Sequence, residues 1–405
     1  MNFAFSEEQE ELRTVVRQFL EAKSPEPEVR RLMETAEGYD PSVWHQMADQ
    51  LGLQGLIVPE QHGGSGFGYV ELVVVLEEMG RSLLCAPFFS SVVLAANTLI
   101  HAPGSAERAL TGRLLAGIAT GATIATLALT EESGRWDEAG VTVRATRGRA
   151  AGGPRAGTND DGTNGDDDDG DDDDDGDARW TLDGTKMFVL DGHIASLVLV
   201  AARSDAGVSL FAVEGDASRA PGLTRTPLAT LDQTRKQARL RFSATPARLV
   251  GIDGQGWTVI ERVLDLAAVA LAAEQVGGAQ RCLDMAVEYA KVRVQFGRPI
   301  GSFQAIKHRC ADMLLEVESA RSAAYYAGWC ASEHNDELPA MASLAKAYCS
   351  EAYFHTAAEN IQVHGGIGFT WEHPAHLYFK RAKSSELLFG DPTYHREQLA
   401  RRIGI

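Results

Sequence analysis

The stretch "RVQFGRPIGSFQAIKH", residues 293–308, lies between two of the longest helical patterns in the chain. A plain connector needs only turn residues, and Gly297, Pro299 and Gly301 supply them. This one also carries Arg293, whose planar fork suits a phosphate, together with an aromatic at Phe296 and an amide at Gln304. Taken singly these have plainer readings: Arg293 suits a helix C-terminus, and Phe296 anchors a loop. Together they mark a ligand loop, and the flanking elements must say for which ligand.

Residues 257–292 form one helical pattern, about 50 Å long at 1.5 Å per residue. A second runs from Phe303 to about Glu333, with Ile306, Cys310, Met313, Leu314 and Val317 on one face. A third starts at Pro339 and stops at Gly365 in "IQVHGGIG". Three long antiparallel helices predict a bundle over residues 251–405. Upstream, residues 121–250 change character. "TIATLALT", "VTVRAT", "WTLDGTKMFVL", "SLVLVAA", "VSLFAVEG" and "KQARLRFS" are short β-rich runs with no helix between them, which predicts an antiparallel barrel or sandwich. Asp183–Gly184 reads as a hairpin turn. Residues 1–120 are helical again. "SEEQ", Ser6 to Gln9, is a capping box ahead of Leu12, Val15, Val16, Phe19 and Leu20 at helical spacing. "PSVWHQMADQLGL" follows with Pro41 near its start, and "YVELVVVLEEMGRSL" comes after a glycine break. The expected fold class is α+β multidomain, ordered helical, β, helical.

The net charge of −18 is local in origin, because 12 aspartates lie between Asp160 and Asp177 and −18 + 12 leaves −6 for the rest. Residues 150–178 are expected to be a disordered, solvated insertion in a hairpin connection. Part of the run matches the first half of a calcium loop, but Leu182 stands where a bidentate Glu is needed. No basic stripe points to nucleic acid. No apolar run approaches the roughly 20 residues of a membrane span, and the N-terminus lacks signal-peptide order. Cys85, Cys282, Cys310, Cys330 and Cys349 are scattered, as in a reducing cytosol, so a cytoplasmic location without membrane insertion is expected. The histidines give no metal arrangement. There is no GxGxxG after a strand, no GxxxxGK[ST] and no GxSxG.

The remaining anchors suit a large, flat, phosphate-bearing cofactor, and in their order they resemble the acyl-CoA dehydrogenase family over nearly the whole chain. "LGLQGLIVPEQHGGSGFGYVELVVVLEEMGRSL" looks like the family's N-terminal signature. "LALTEESGRWD" stands where the family has its flavin segment, with Leu129 and Thr130 kept. "LDGTKMFVLDG" is similar to the strand that faces the flavin, and "RVQFGRPIGSFQAIKHRCADM" and "QVHGGIGFTWEHP" to the two FAD segments of the C-terminal domain. The resemblance implies FAD as cofactor. Arg293 would meet its pyrophosphate, with Phe296, Phe303 and Gln304 beside it, and Gln362, Gly365 and Gly366 would approach from another chain. It implies α,β-dehydrogenation of an acyl-CoA substrate, electrons passing to an electron-transfer flavoprotein, and at least a dimer, with a tetramer as the family habit.

A carboxylate must remove the α-proton, and this chain lacks one at both family positions. Phe389, ahead of Gly390 in "KSSELLFGDPTYHRE", holds one, and Ala267 in "LDLAAVALAAEQVGG" holds the other. The nearest substitutes are Asp391 and Glu274, the latter about two turns along the same helix face. Their plainer readings are a helix cap and a structural ion pair. Leu190 and Trp136 also replace small polar flavin-side residues. These losses resemble the heteromeric enzymes of bacterial lipid and steroid side-chain degradation, in which one subunit carries the base. Two functions are therefore expected as alternatives: an FAD-dependent acyl-CoA dehydrogenase with an unconventional base, or a catalytically incomplete partner subunit that completes a flavin site in a homo- or hetero-tetramer.

Overall fold

The computed structural model describes residues 5–104, 108–148, 180–215 and 220–405. The aspartate-rich insertion expected at 150–178 lies outside the described residues.

The first part is helical: α1 (Glu7–Lys23), α2 (Glu26–Glu34), α3 (Pro41–Asp49), α4 (Tyr69–Arg81), a π-helical run Phe89–Ala96 that continues into α5 (Asn97–His101), and α6 (Arg108–Ala119). The capping box forms as its residues dictate: Ser6 accepts from the Gln9 backbone N–H while the Gln9 side chain accepts from the Ser6 N–H. Asp40 caps α3 through the Ser42 and Val43 N–H groups, and Pro41 takes the first turn, where its missing N–H costs nothing. The sequence patterns do not single out α2, whose nine residues bury Val29, Leu32 and Met33.

The middle part comprises β1 (Ala125–Ala128), β2 (Arg144–Arg147), β3 (Trp180–Leu190), β4 (Leu197–Ser204), β5 (Gly207–Glu214), β6 (Leu223–Pro227) and β7 (Gln237–Val250). The pairings β4–β2–β3–β7–β5–β4 close a ring, with β1 beside β4 and β6 beside β7. The barrel is mixed rather than purely antiparallel, because β1 and β2 each run parallel to β4. The long excursion between β1 and β4 permits that crossover. Asp183–Gly184 is not a hairpin turn. It lies within β3 as a bulge, with the register slipping between Leu182 and Gly184. Gly184 has φ +138°, and a Cβ there would sit 2.8 Å from Val143. The Asp183 carboxylate accepts from the Ala244 N–H across the kink. The dipeptide's left-handed tolerance is spent on a bulge instead of a reversal. β2 and β3 pair antiparallel, with Arg147 opposite Trp180.

The last part holds α7 (Gly256–Val292), a ribbon of β8 (Val294–Gln295) and β9 (Arg298–Pro299), α8 (Gln304–Ser332), α9 (Leu338–His364), α10 (Ala375–Leu387) and α11 (Pro392–Arg402). From Val263 to Ala279, α7 is buried almost all round, because α4, α8 and α9 cover it. Reciprocal glycines let α4 and α7 touch: a Cβ on Gly277 would meet the Glu77 carbonyl at 1.8 Å, and one on Gly80 the Glu274 carbonyl at 1.9 Å. One apolar core runs continuously from the N-terminal helices into α7, α8 and α9, and a second fills the barrel.

Candidate functional site

The loop after α7 presents its ligand-like residues outward. Arg293 ends the helix, its N–H bonded to the Tyr289 carbonyl, and among the described residues nothing pairs with its guanidinium. Phe296 is 92% exposed at φ +52°, a conformation costly for an aromatic residue. Its ring stands edge-on to Phe303 at 6.1 Å, and Arg298 lies over Phe303 at 4.2 Å. Gln304 opens α8, exposed. Gln362 and Gly365 close α9, Gly365 at φ +64°, and a Cβ on Gly365 or Gly366 would meet nothing within 4 Å. Backbone and guanidinium are thus open to a ligand at both segments.

Between the barrel and α10 lies a slot of about 370 Å³, lined by Thr130, Trp136, Phe188, Leu231, Leu387 and Leu388 among others. Phe188, Leu231 and Leu387 are exposed at 45%, 60% and 55%, a concentration of open apolar surface around one cleft. Such a cradle fits a flat heteroaromatic ring, and the unpaired Arg293 fits a phosphate, so the residues present suit FAD. The floor is rigid. Thr130 exchanges hydrogen bonds with the Met187 backbone, and the buried Lys186 ammonium donates to the Leu129 carbonyl at 2.9 Å and to Glu131 at 2.7 Å. Leu129 itself points into the core. Burial pulls Lys186 down to about 8 despite Glu131, and that ammonium, with Thr142 and Val143, keeps the Glu131 carboxyl below its usual range.

The two positions where a base is expected are apolar and filled. Ala267 is fully buried. Phe389, at φ +62°, stacks on Phe89 at 5.7 Å and meets the edge of Trp136 at 5.5 Å. The two substitute carboxylates are occupied elsewhere. Asp391 is exposed and caps α11 through the Tyr394 N–H at 2.7 Å. Glu274 is held by two guanidiniums, those of Arg235 and Arg381, the latter at 2.7 Å. The plainer reading is what the structure shows for both.

Sequence reasoning missed the charges that brace this site. Arg381 also pairs with Asp232 at 2.9 Å and donates to Thr234, tying the loop before β7 to α10 and α7. Lys346 on α9 is fully buried and donates to Ser350, to the Glu386 carbonyl and to the Gly390 carbonyl, while a ring nitrogen of His395 lies 3.0 Å from the Phe389 carbonyl. A lone lysine within the small-residue run "ASLAKAYCS" was the available signal, since burial of a cation there demands carbonyl partners.

The chain matches the family models "Acyl-CoA dehydrogenase, N-terminal domain" over residues 6–122 and "Acyl-CoA dehydrogenase, C-terminal domain" over residues 254–404. It is 34% identical to acyl-CoA dehydrogenase IpdE2 of Mycolicibacterium smegmatis, over 98% of both chains. It is 31% identical to acyl-CoA dehydrogenase FadE27 of Mycobacterium tuberculosis, over 100% of this chain and 99% of the other. Among solved structures, the ChsE4–ChsE5 complex of Mycobacterium tuberculosis superposes with a TM-score of 0.82 at 29% identity, covering 100% of this chain and 99% of that one.

Proposed function

This chain belongs to the acyl-CoA dehydrogenase family, and from that premise we propose that it is the incomplete subunit of a heteromeric, FAD-dependent acyl-CoA dehydrogenase. One observation carries the reading: Phe389 occupies the base position inside an aromatic cluster, and neither Glu274 nor Asp391 is free to replace it. When bound, FAD supplies the hydride acceptor for α,β-dehydrogenation of an acyl thioester. The chain's own residues bind and shield. Phe188, Leu231 and Leu387 offer apolar contact, Thr130 and Lys186 fix the backbone beneath, and Arg293 with Gln362, Gly365 and Gly366 offers phosphate and backbone contacts across an assembly. Proton removal falls to a carboxylate of the partner subunit, and electrons leave to an electron-transfer flavoprotein. The ChsE4–ChsE5 complex, a pair of unlike chains, supports this arrangement, and a cytoplasmic setting accords with five free cysteines. Among the described residues no helix is long and apolar enough to cross a membrane.

The test is turnover. The purified homomer should oxidise saturated acyl-CoA about 10²–10⁴ slower than the coexpressed heteromer, the usual cost of a missing general base. Phe389→Glu should restore measurable flavin bleaching. A homomer as fast as the heteromer would sink the proposal.

A further inference from the structure

The segment between α9 and α10, residues 365–374, carries Gly365 and Gly366, proposed to meet the cofactor, and the exposed rings of Phe369 and Trp371. Among the described residues its hydrogen bonds are local, running within residues 361–377. Rings supply the remaining hold. Tyr289 on α7 stacks on His364 at 4.3 Å with planes 28° apart, and His364 meets His373 at 4.2 Å. Trp371 lies nearly perpendicular to His376 at 4.7 Å, with the Lys380 ammonium over its own face at 4.2 Å.

Two hydrogen bonds fix where the protons sit. His364 Nδ1 lies 2.8 Å from the Asn360 carbonyl and donates to it. His373 Nδ1 accepts from the Ala375 N–H, the first of α10, at 3.2 Å, so that nitrogen must be bare. A proton there would break the bond and set a cation at the positive end of the α10 dipole. From α2, Arg30 and Glu26 face His373; Arg30 opposes a cation, and already holds Glu26 at 2.7 Å. From α9 the facing group is His364 itself. Burial keeps His364 below its ordinary range, and burial with the His364 ring keeps His373 below it despite Glu26. His376 faces Lys380, Arg30 and Glu26, and burial pulls it down to about 4, so it stays neutral at pH 5.

We infer that the paired rings of His364 and His373 form an acid-sensitive latch on residues 365–373. Neutral rings hold the segment, and a proton on His373 Nδ1 releases it. Release returns both histidines to their ordinary 6.5, so below that pH the released form binds more protons and acid favours it. The consequence for the cofactor rests on the reading under Proposed function; the latch itself does not.

Hydrogen–deuterium exchange of the full-length protein, read on a peptide spanning residues 365–377 and corrected for intrinsic rates, tests this. From pH 7.5 to pH 5 the wild type should lose protection there on the order of tenfold, while peptides of α4 and α7 keep theirs. His373→Asn keeps an acceptor for the Ala375 N–H but no titrating ring, and should lose less. His364→Phe/His373→Asn, which also keeps a ring against Tyr289, should show no response to pH. A wild type that stays flat, or a double variant that responds as strongly, would overturn the latch. Should the double variant fail to fold, His373→Asn alone decides, since His373 is half-buried and outside any helix; an undiminished response there overturns it. Flavin lost in step with protection would support both the latch and the cofactor contacts. Flavin retained on the released segment would support the latch and remove Gly365 and Gly366 from those contacts.

Discussion

At the scale of single residues, Lys346 is the most exposed to test. Among the described residues its ammonium has three acceptors and no contacting carboxylate, and burial lowers it from 10.5 to about 7. The unfolded chain holds this proton up to about pH 10.5, whereas the folded chain releases it near 7. Between those values the unfolded state binds more protons, so this residue makes stability rise with pH. Lys346→Met removes the contribution. The stability difference between wild type and variant should therefore shift in the wild type's favour from pH 7 to pH 9. The shift should be on the order of a few kcal/mol, at about 1.4 kcal/mol per unit, measured by urea denaturation at each pH. A difference that stays flat, or moves the other way, would mean that Lys346 is not a buried, desolvated amine.

Between elements, the decisive contact is the buried group Asp232, Arg235, Glu274 and Arg381. It joins the loop before β7 to α7 and α10, and that loop and α10 both line the slot. Removing one member of such a group strands the others without water. Arg381→Ala should cost about 3–5 kcal/mol of unfolding free energy, and Arg381→Lys only part of that, since Lys cannot serve Asp232, Thr234 and Glu274 together. If the network also sets the slot's width, Arg381→Lys should retain less flavin after gel filtration while its far-ultraviolet spectrum stays native. Undiminished flavin in that variant would limit the network to stability.

For the molecule as a whole, the large apolar residues left outside are the informative ones. Phe296, Phe369 and Trp371 are 92%, 77% and 61% exposed, all near the segments proposed to meet the cofactor. Lone exposed apolar residues are ordinary, but aromatics grouped around a ligand loop call for cover by a second chain. Phe296→Asp combined with Trp371→Ser should lower the assembled mass in sedimentation by at least half and release flavin, with helicity unchanged. An intact assembly would show that these rings face solvent in the working protein.

The order of helical, β and helical parts is legible from the amino acids alone, because each signal is local. A capping box placed α1, Pro41 marked the start of α3, unbroken helical periodicity placed α7 to α9, and alternation with turn residues marked the strands. The sequence also put Phe389 and Ala267, neither able to accept a proton, where the family resemblance leads one to expect a base, a reading that needs no geometry. What it could not supply was anything that depends on a partner distant in the chain. Asp183–Gly184 is locally a good turn, and only its pairing with β7 and the crowding of Val143 make it a bulge. Glu274 and Asp391 look like available carboxylates until Arg235, Arg381 and the Tyr394 N–H claim them. Trp136 was legible as a departure, but its edge contact with Phe389, itself stacked on Phe89, joins residues far apart in the chain. Local free energies select elements within a few residues. Burial and pairing, which decide whether a charge is available or a cavity open, are set only when those elements pack.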